Sequence, residues 1–141
     1  MTELKLQVSK TINAAPEKVF NAWLDPEMLA RFMLPGPNTS VPSASSDATV
    51  GGRFAILMKS GDDEIPHAGI YKEIDPHSRI VFTWESPYSS DDSTVTLDFA
   101  PREGGTLITL THVKFPSEDS RDNHEGGWTQ ILTVLADVLA A

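Results

Sequence analysis

Cysteine is absent from the 141 residues of this sequence, which excludes disulfides, thiolate metal sites and cysteine nucleophiles. Long hydrophobic runs are absent too, and none approaches the roughly 20 apolar residues that a membrane-spanning helix needs. The N-terminal residues also lack the apolar stretch of a signal peptide. These absences predict a cytoplasmic protein.

Basic residues are scarce, with 11 lysines and arginines against 20 aspartates and glutamates. The formal net charge is -9 and the isoelectric point is near 4.7. Such an excess of negative charge opposes binding to a phosphate backbone or to an anionic membrane surface. We therefore expect neither nucleic acid nor a membrane as a partner.

Motifs for several kinds of chemistry are missing as well. The sequence has no Gly-rich phosphate loop, no serine elbow and no nucleophile triad, and we expect no cofactor. Its length fits one domain over residues 1–141, large enough to bury about two thirds of the surface of the unfolded chain. No internal repeat or linker divides it.

The C-terminal residues 117–141 have the clearest pattern, that of a long helix with one apolar face. The apolar side chains of that face are Trp128, Ile131, Leu132, Leu135, Val138 and Leu139. Followed toward the N-terminus, the same face reaches His124 and Arg121 and becomes polar. Gly126 and Gly127 interrupt the pattern, and each costs roughly 1 kcal/mol in a helix relative to alanine. They indicate a kink, a close backbone contact or space for a guest, or else a break before the main helix.

The first third of the chain predicts a strand over residues 4–12 and then two short helices. Pro16 suits the first turn of a helix over about residues 16–24, and the Asp25-Pro26 pair starts a second one. Residues 35–50 are rich in proline and serine. Because a structureless loop of this length is unusual in a compact domain, we expect a weak edge strand near residues 40–46.

The middle of the chain alternates in the manner of antiparallel strands. One strand starts after a turn at Gly51-Gly52 and buries alternate residues from Phe54 to Met58. A turn at residues 75–78 joins two more strands. If it places Ile74 opposite Arg79, then Tyr71 faces Phe82 and Gly69 faces Trp84.

A last hairpin has Glu103-Gly104 at its tip. This tip pairs Phe99 with Ile108, Leu97 with Leu110 and Val95 with His112. His112 then lies on the apolar face, and Asp98 points outward.

Together these elements predict an α+β fold in which a curved antiparallel sheet of about six or seven strands wraps around the C-terminal helix, with two short helices after the first strand. Several segments carry a family resemblance, in the family's order and over almost the whole chain. They are residues 15–20 (APEKVF) with Trp23, 25–27 (DPE), 50–54 (VGGRF), 69–76 (GIYKEIDP), 79–84 (RIVFTW), 110–112 (LTH), 115–116 (FP) and 127–128 (GW).

In these segments the chain resembles the START-like (SRPBCC, Bet v-like) helix-grip superfamily, and within it the C-terminal domain of the activator of heat-shock-protein-90 ATPase. The resemblance implies a sheet that grips the C-terminal helix around a cavity, and many family members have no assigned activity. The eukaryotic activators use a second, N-terminal domain. We expect none ahead of residue 1 here, so the resemblance does not carry the co-chaperone role over.

Two histidines are the sharpest candidates for chemistry. His112 and His124 place a titratable ring on an apolar face, where it can orient a ligand or move a proton. The alternative is a structural role, with each ring bonded to a nearby carbonyl or carboxylate. A metal site would require His67 or Asp98 to converge with them, and the outward direction of Asp98 argues against it.

Aromatic residues at strand and helix spacing form either an ordinary core or the wall of a pocket for a flat, hydrophobic ligand. Fold-level analogy favours the pocket. The predicted ligand-binding residues are Tyr71, Phe82, Trp84, Leu97, His112, His124 and Trp128. Arg53 and Arg121 either neutralise an acidic ligand or form surface ion pairs.

The leading hypothesis is a module that binds a small hydrophobic or aromatic molecule in a cavity between the sheet and the last helix. One alternative is an enzyme of the cyclase or hydratase kind that uses a cavity histidine. Another is an interaction domain that activates a chaperone ATPase. The sequence leaves the oligomeric state undecided, and a homodimer is one alternative.

Overall fold

The computed structural model describes residues 4–36, 38–87 and 93–140. Seven strands form one antiparallel sheet in the order β1-β7-β6-β5-β4-β3-β2, with β1 and β2 at its edges. The elements are β1 (Lys5–Ile12), α1 (Pro16–Ala22), α2 (Pro26–Phe32), β2 (Thr39–Ser46), β3 (Arg53–Ser60), β4 (Asp63–Asp75), β5 (Arg79–Thr83), β6 (Thr94–Arg102), β7 (Gly105–Val113) and α3 (Glu118–Ala140). The α+β prediction is confirmed, including both short helices and the number of strands.

The short helices begin where the prolines predict. Pro16 and Pro26 each occupy the first turn, where a missing N–H leaves no hydrogen bond unmade. The carboxylate of Asp25 accepts a hydrogen bond from the backbone N–H of Glu27 at 3.0 Å and caps α2. The helix α1 ends at Ala22, two residues earlier than expected, and Trp23 is its C-cap.

The proline- and serine-rich segment contains the expected edge strand, β2. It pairs with β3, and its register shifts between Ser40 and Ser43. Pro42 lies in this irregularity, which suits a residue that cannot donate a ladder hydrogen bond.

The last hairpin has the predicted register. Val95 pairs with His112 and Leu97 with Leu110, and Gly104 at the tip has φ 79°, a conformation that glycine adopts without strain. Asp98 points outward and forms an exposed ion pair with Arg79 at 2.7 Å.

The predicted β4–β5 pairing is partly wrong. Tyr71 faces Phe82 as expected, but Ile74 pairs with Ile80 and not with Arg79, because a bulge lies between Tyr71 and Glu73. The bridge between Ala68 and Glu85 continues the Tyr71–Phe82 register and keeps Gly69 opposite Trp84 as expected. The ring that packs closest to Gly69 is that of Phe54, its partner on β3.

The helix α3 runs unbroken through Gly126 and Gly127, so the alternative of a break there is wrong. Its start is capped by Ser117, whose hydroxyl accepts a hydrogen bond from the N–H of Ser120 at 3.1 Å. The helix packs against β1 and α2, and its apolar face closes the core. The expected end at Ala141 lies outside the described residues. No described helix is long and apolar enough to cross a membrane.

Candidate functional site

A pocket of about 160 Å³ lies between one end of the sheet and the N-terminal half of α3. Its walls are mainly apolar, and three polar side chains reach it. The lining residues are Pro35, Met58, His67, Trp84, Asn123, His124, Gly127, Trp128 and Ile131. The part of the α3 face that becomes polar toward the N-terminus therefore borders the pocket, as its sequence pattern suggested.

The two indole rings of the pocket are in contact with each other. Trp84 follows β5 and Trp128 lies on α3, and their ring centroids are 4.9 Å apart with an angle of 60° between the planes. Both residues are nearly fully buried, at 3% and 2% exposure. His67 on β4 also contacts Trp84, with ring centroids 5.0 Å apart.

His67 and His124 share a hydrogen-bonding pattern. His67 Nδ1 lies 3.0 Å from the carbonyl oxygen of Ile65, and His124 Nδ1 lies 2.7 Å from that of Ser120, one turn earlier in α3. A carbonyl only accepts, so each Nδ1 carries a proton and donates it. His67 is also hydrogen-bonded to the backbone of Ile56, so among the described residues Nε2 of His124 is the imidazole nitrogen left for a guest.

His112 lies behind the pocket in a buried hydrogen-bond chain. The indole N–H of Trp128 donates to His112 Nδ1 at 3.0 Å, and His112 Nε2 lies 2.6 Å from the hydroxyl oxygen of Ser93. Because an indole nitrogen only donates, Nδ1 accepts and the proton of the neutral ring is on Nε2. His112 thus holds the Trp128 ring in place as a wall of the pocket, and both of its nitrogens are used.

Burial keeps both inner histidines neutral. Burial, with a smaller contribution from the nearby His124, lowers the pKa of His112 to about 3. Burial also lowers the pKa of His67 to about 4, although hydrogen bonds to backbone carbonyls act in the opposite direction. At neutral pH these two rings therefore carry no positive charge.

The N–H of Trp84 is the most unusual polar group of the site. Its Nε1 atom is buried and has no hydrogen-bond partner among the described residues. Buried donors without a partner are rare and cost about 1–3 kcal/mol each. This nitrogen has almost no accessible surface, so it is closed off from the pocket although other atoms of the ring line it.

The predicted site residues divide into groups. Trp84, His124 and Trp128 meet at the pocket, and His112 supports it from behind. Tyr71 and Phe82 instead line a separate void of about 10 Å³. The phenol of Tyr71 lies 2.9 Å from the hydroxyl of Ser46, and burial raises its pKa. Leu97 is fully buried in the core.

Several pocket residues were not among the predicted ones. His67 lies two residues before Gly69 and four before Tyr71, so the alternation of β4 already places it on the inner face. Met58 likewise continues the buried side of β3. Pro35 follows α2 in a loop, and no sequence pattern indicates its contribution.

The polar groups of the pocket are too few for a metal centre built by the chain alone. Within residues 4–36, 38–87 and 93–140, no group of three or more histidine, aspartate or glutamate side chains is placed to hold an ion. The two arginines considered earlier are engaged elsewhere: Arg53 pairs with Glu85 at 3.0 Å and Arg121 with Asp122 at 3.1 Å.

Two depressions on the surface each share a histidine with the pocket. A surface groove of about 660 Å³ shares His124 and Asn123 with it. A second depression, of about 330 Å³, shares His67. Pro87 lines both, so the imidazole rings lie between the inner pocket and the outside of the molecule.

A curved antiparallel sheet that holds a long C-terminal helix, with a pocket between them, defines the helix-grip class of START-like proteins. The sequence matches the family model described as activator of Hsp90 ATPase homolog 1-like protein over residues 13–140. The chain therefore belongs to the AHSA1-like family, and the predicted resemblance is confirmed.

Solved structures agree with this assignment. The chain is similar to a protein of Chromobacterium violaceum, with 26% identity, a TM-score of 0.88 and coverage of 97% of both chains. It is also similar to an AHSA1-like protein of Aeromonas hydrophila, with 25% identity, a TM-score of 0.82 and coverage of 95% of this chain and 90% of the other. A Staphylococcus aureus protein of unknown function shares the fold at 16% identity, with a TM-score of 0.83 and coverage of 99% and 94%. No curated protein sequence matches.

Proposed function

We propose that the protein is a binding module for a small apolar or aromatic molecule, held in the pocket that Trp84, Trp128 and Ile131 line. The observation that carries this proposal is the pocket of about 160 Å³ with two indole rings in its wall. Pockets of this character, apolar with few polar groups, are typical of small-molecule sites.

The size of the pocket favours a guest of one ring. An engineered cavity of roughly 150 Å³ lined by aliphatic and aromatic side chains takes up benzene. Larger ligands would require Met58 or Ile131 to move. The guest we propose is therefore about as large as a benzene ring with one or two substituents.

Benzene itself is a suitable probe for this proposal. We expect saturable shifts of the indole N–H signals of Trp84 and Trp128 in ¹⁵N–¹H NMR spectra during a titration. The Gly127→Leu variant should abolish them, because a side chain at this position grows from the pocket wall, where its Cβ would lie 3.3 Å from Pro35.

Gly126→Leu is the matched control for this variant, since nothing lies within 4 Å of a Cβ at that position. Binding should persist there. An absence of shifts at millimolar benzene, or equal binding by both leucine variants, would contradict the proposal.

Catalysis of the cyclase or hydratase kind is a second candidate, favoured by the imidazole of His124, which lines the pocket and could act as an acid or base. It would not use His112, whose nitrogens are both bonded. With any compound that binds, His124→Gln separates the two functions: an enzyme loses turnover and keeps its affinity, whereas a binder changes in affinity alone.

Activation of a chaperone ATPase stays a third hypothesis, and no contact among the described residues favours it. Adding the purified protein to a bacterial chaperone of the Hsp90 class should leave ATP hydrolysis unchanged. A stimulated rate would revive this role.

A further inference from the structure

The pocket becomes polar at the end where it meets the surface. Asn123 and His124 line both the pocket and the surface groove of about 660 Å³. Asn123 is exposed and His124 is half-buried. The third polar lining residue, His67, instead bonds the backbone of Ile65 and Ile56. A guest that is longer than one ring therefore leaves the pocket past Asn123 and His124 and enters the groove.

The groove offers hydrogen-bond acceptors and negative charge. Its lining includes the carboxylate of Asp119, and no described lysine or arginine lines either the groove or the pocket. Asp119 is exposed and lies one helical turn before Asn123, so the two side chains are neighbours on one face of α3. The side-chain oxygen of Asn123 accepts hydrogen bonds. Nε2 of a neutral His124 ring accepts them too, because its Nδ1 proton is held by the carbonyl of Ser120.

We propose that the ligand is an amine with an apolar end, such as an arylalkylamine, bound as its ammonium ion. The ring lies in the pocket beside Trp128 and Ile131, and the ammonium group lies in the groove. There its N–H donors face the carboxylate of Asp119, the amide oxygen of Asn123 and Nε2 of His124. This inference rests on the proposed function and specifies its ligand class.

An ammonium group suits the groove better than other polar groups do. Charge is costly inside an apolar pocket, but the groove is on the surface, where the ion keeps part of its water. A carboxylate would face Asp119 in a chain of formal net charge -9, with no basic side chain in the lining. A hydroxyl has a single proton to donate and gains nothing from the negative charge. The helix dipole of α3 opposes a cation at this end, but Glu118 and Asp119 in the first turn offset it.

Three compounds with the same phenyl ring test this inference: 2-phenylethylamine, 2-phenylethanol and 3-phenylpropanoate. At pH 7.5 and low ionic strength, we expect calorimetric or NMR titrations to show the amine bound about threefold more tightly than the alcohol, an advantage typical of one exposed ion pair. The carboxylate should bind most weakly. Added salt should reduce the differences, because it screens charges on the surface.

Asp119→Asn keeps the shape of the side chain and removes its charge. It should weaken amine binding about twofold to fivefold and leave 2-phenylethanol binding nearly unchanged. Asp137→Asn is the matched control, since it makes the same change of charge at an exposed position near the other end of α3. Denaturant unfolding checks that both variants fold. In ¹⁵N–¹H spectra of the parent protein, the backbone amide signal of Asp119 should shift with the amine and not with benzene.

The possible results separate the two proposals. If benzene binds but the alcohol or the carboxylate binds as tightly as the amine, the inference about the ligand is overturned while a binding module stands. An equal effect of the two aspartate variants on amine binding would overturn it as well. If neither benzene nor any of the three phenyl compounds binds, the proposed function fails and this inference fails with it.

Discussion

His112 is a buried polar residue, and an apolar residue in its place should lower the stability of the fold. Its ring accepts from Trp128 and bonds to Ser93 while it is 0% exposed. We expect His112→Leu to lower the free energy of unfolding by about 3 kcal/mol, since two buried polar groups lose their partner. Urea denaturation measures this loss. His112→Gln, which still offers an acceptor, should lose less, and an equal loss in both variants would contradict the hydrogen-bond chain.

The same residue predicts an acid-sensitive fold. The folded chain keeps His112 neutral until its pKa of about 3, whereas the unfolded chain protonates it near 6.5. The unfolded state binds more protons over this interval, so the free energy of unfolding falls as the pH drops below about 6.5, by about 1.4 kcal/mol per unit for this group. The pKa of His67, about 4, acts in the same direction.

Urea denaturation at pH 7, 6 and 5 checks this dependence. In His112→Gln the free energy of unfolding should fall less, by about 0.7 kcal/mol between pH 7 and 6 and by about 1.2 kcal/mol between pH 6 and 5, because the group that titrates is gone. A slope identical to that of the parent protein would show that His112 is not held neutral.

The glycine pair in α3 gives another comparison at the level of residues. Gly126→Ala should raise the stability by about 1 kcal/mol through helix propensity, since its new methyl group meets no atom within 4 Å. Gly127→Ala should gain less, because the methyl group lies 3.3 Å from Pro35. Thermal denaturation of the two variants measures the difference. A larger gain at Gly127 would contradict the close approach of α3 to this loop.

The β6–β7 and β4–β5 hairpins differ in how completely the sequence predicts their register. The β6–β7 register was predicted correctly because strict alternation on both strands meets a glycine at the tip. The β4–β5 register was predicted only in part, since the bulge after Tyr71 shifts the count by one residue. Such a bulge depends on neighbours in the sheet and leaves no local pattern.

The close packing around Gly69 on β4 leads to another prediction. A Cβ on Gly69 would collide with the carbonyl oxygen of Thr83 and with the Phe54 ring. We therefore expect Gly69→Ala to destabilise the fold by about 2–3 kcal/mol through overpacking. Gly36→Ala is the control, with nothing within 4 Å, and should be nearly neutral in urea denaturation. A tolerated alanine at Gly69 would contradict the close packing of Phe54.

For the molecule as a whole, the sequence predicted the fold more completely than it predicted the candidate site. Periodicity indicated the strands, the prolines placed the short helices, and the apolar stripe of α3 indicated which face the sheet would hold. The ligand-binding role of the seven predicted residues stays a prediction. The pocket depends on how α3 packs across the sheet and on the position of the loop that contains Pro35, one of the lining residues. These are tertiary distances that residue patterns do not contain.

The most direct measurement of the proposed function is a crystal structure of the protein grown with benzene. We expect density for one ring in the pocket lined by Met58, Trp84, Trp128 and Ile131. A pocket closed by its own side chains, or a ring bound only in the outer groove beside Pro116, would contradict it.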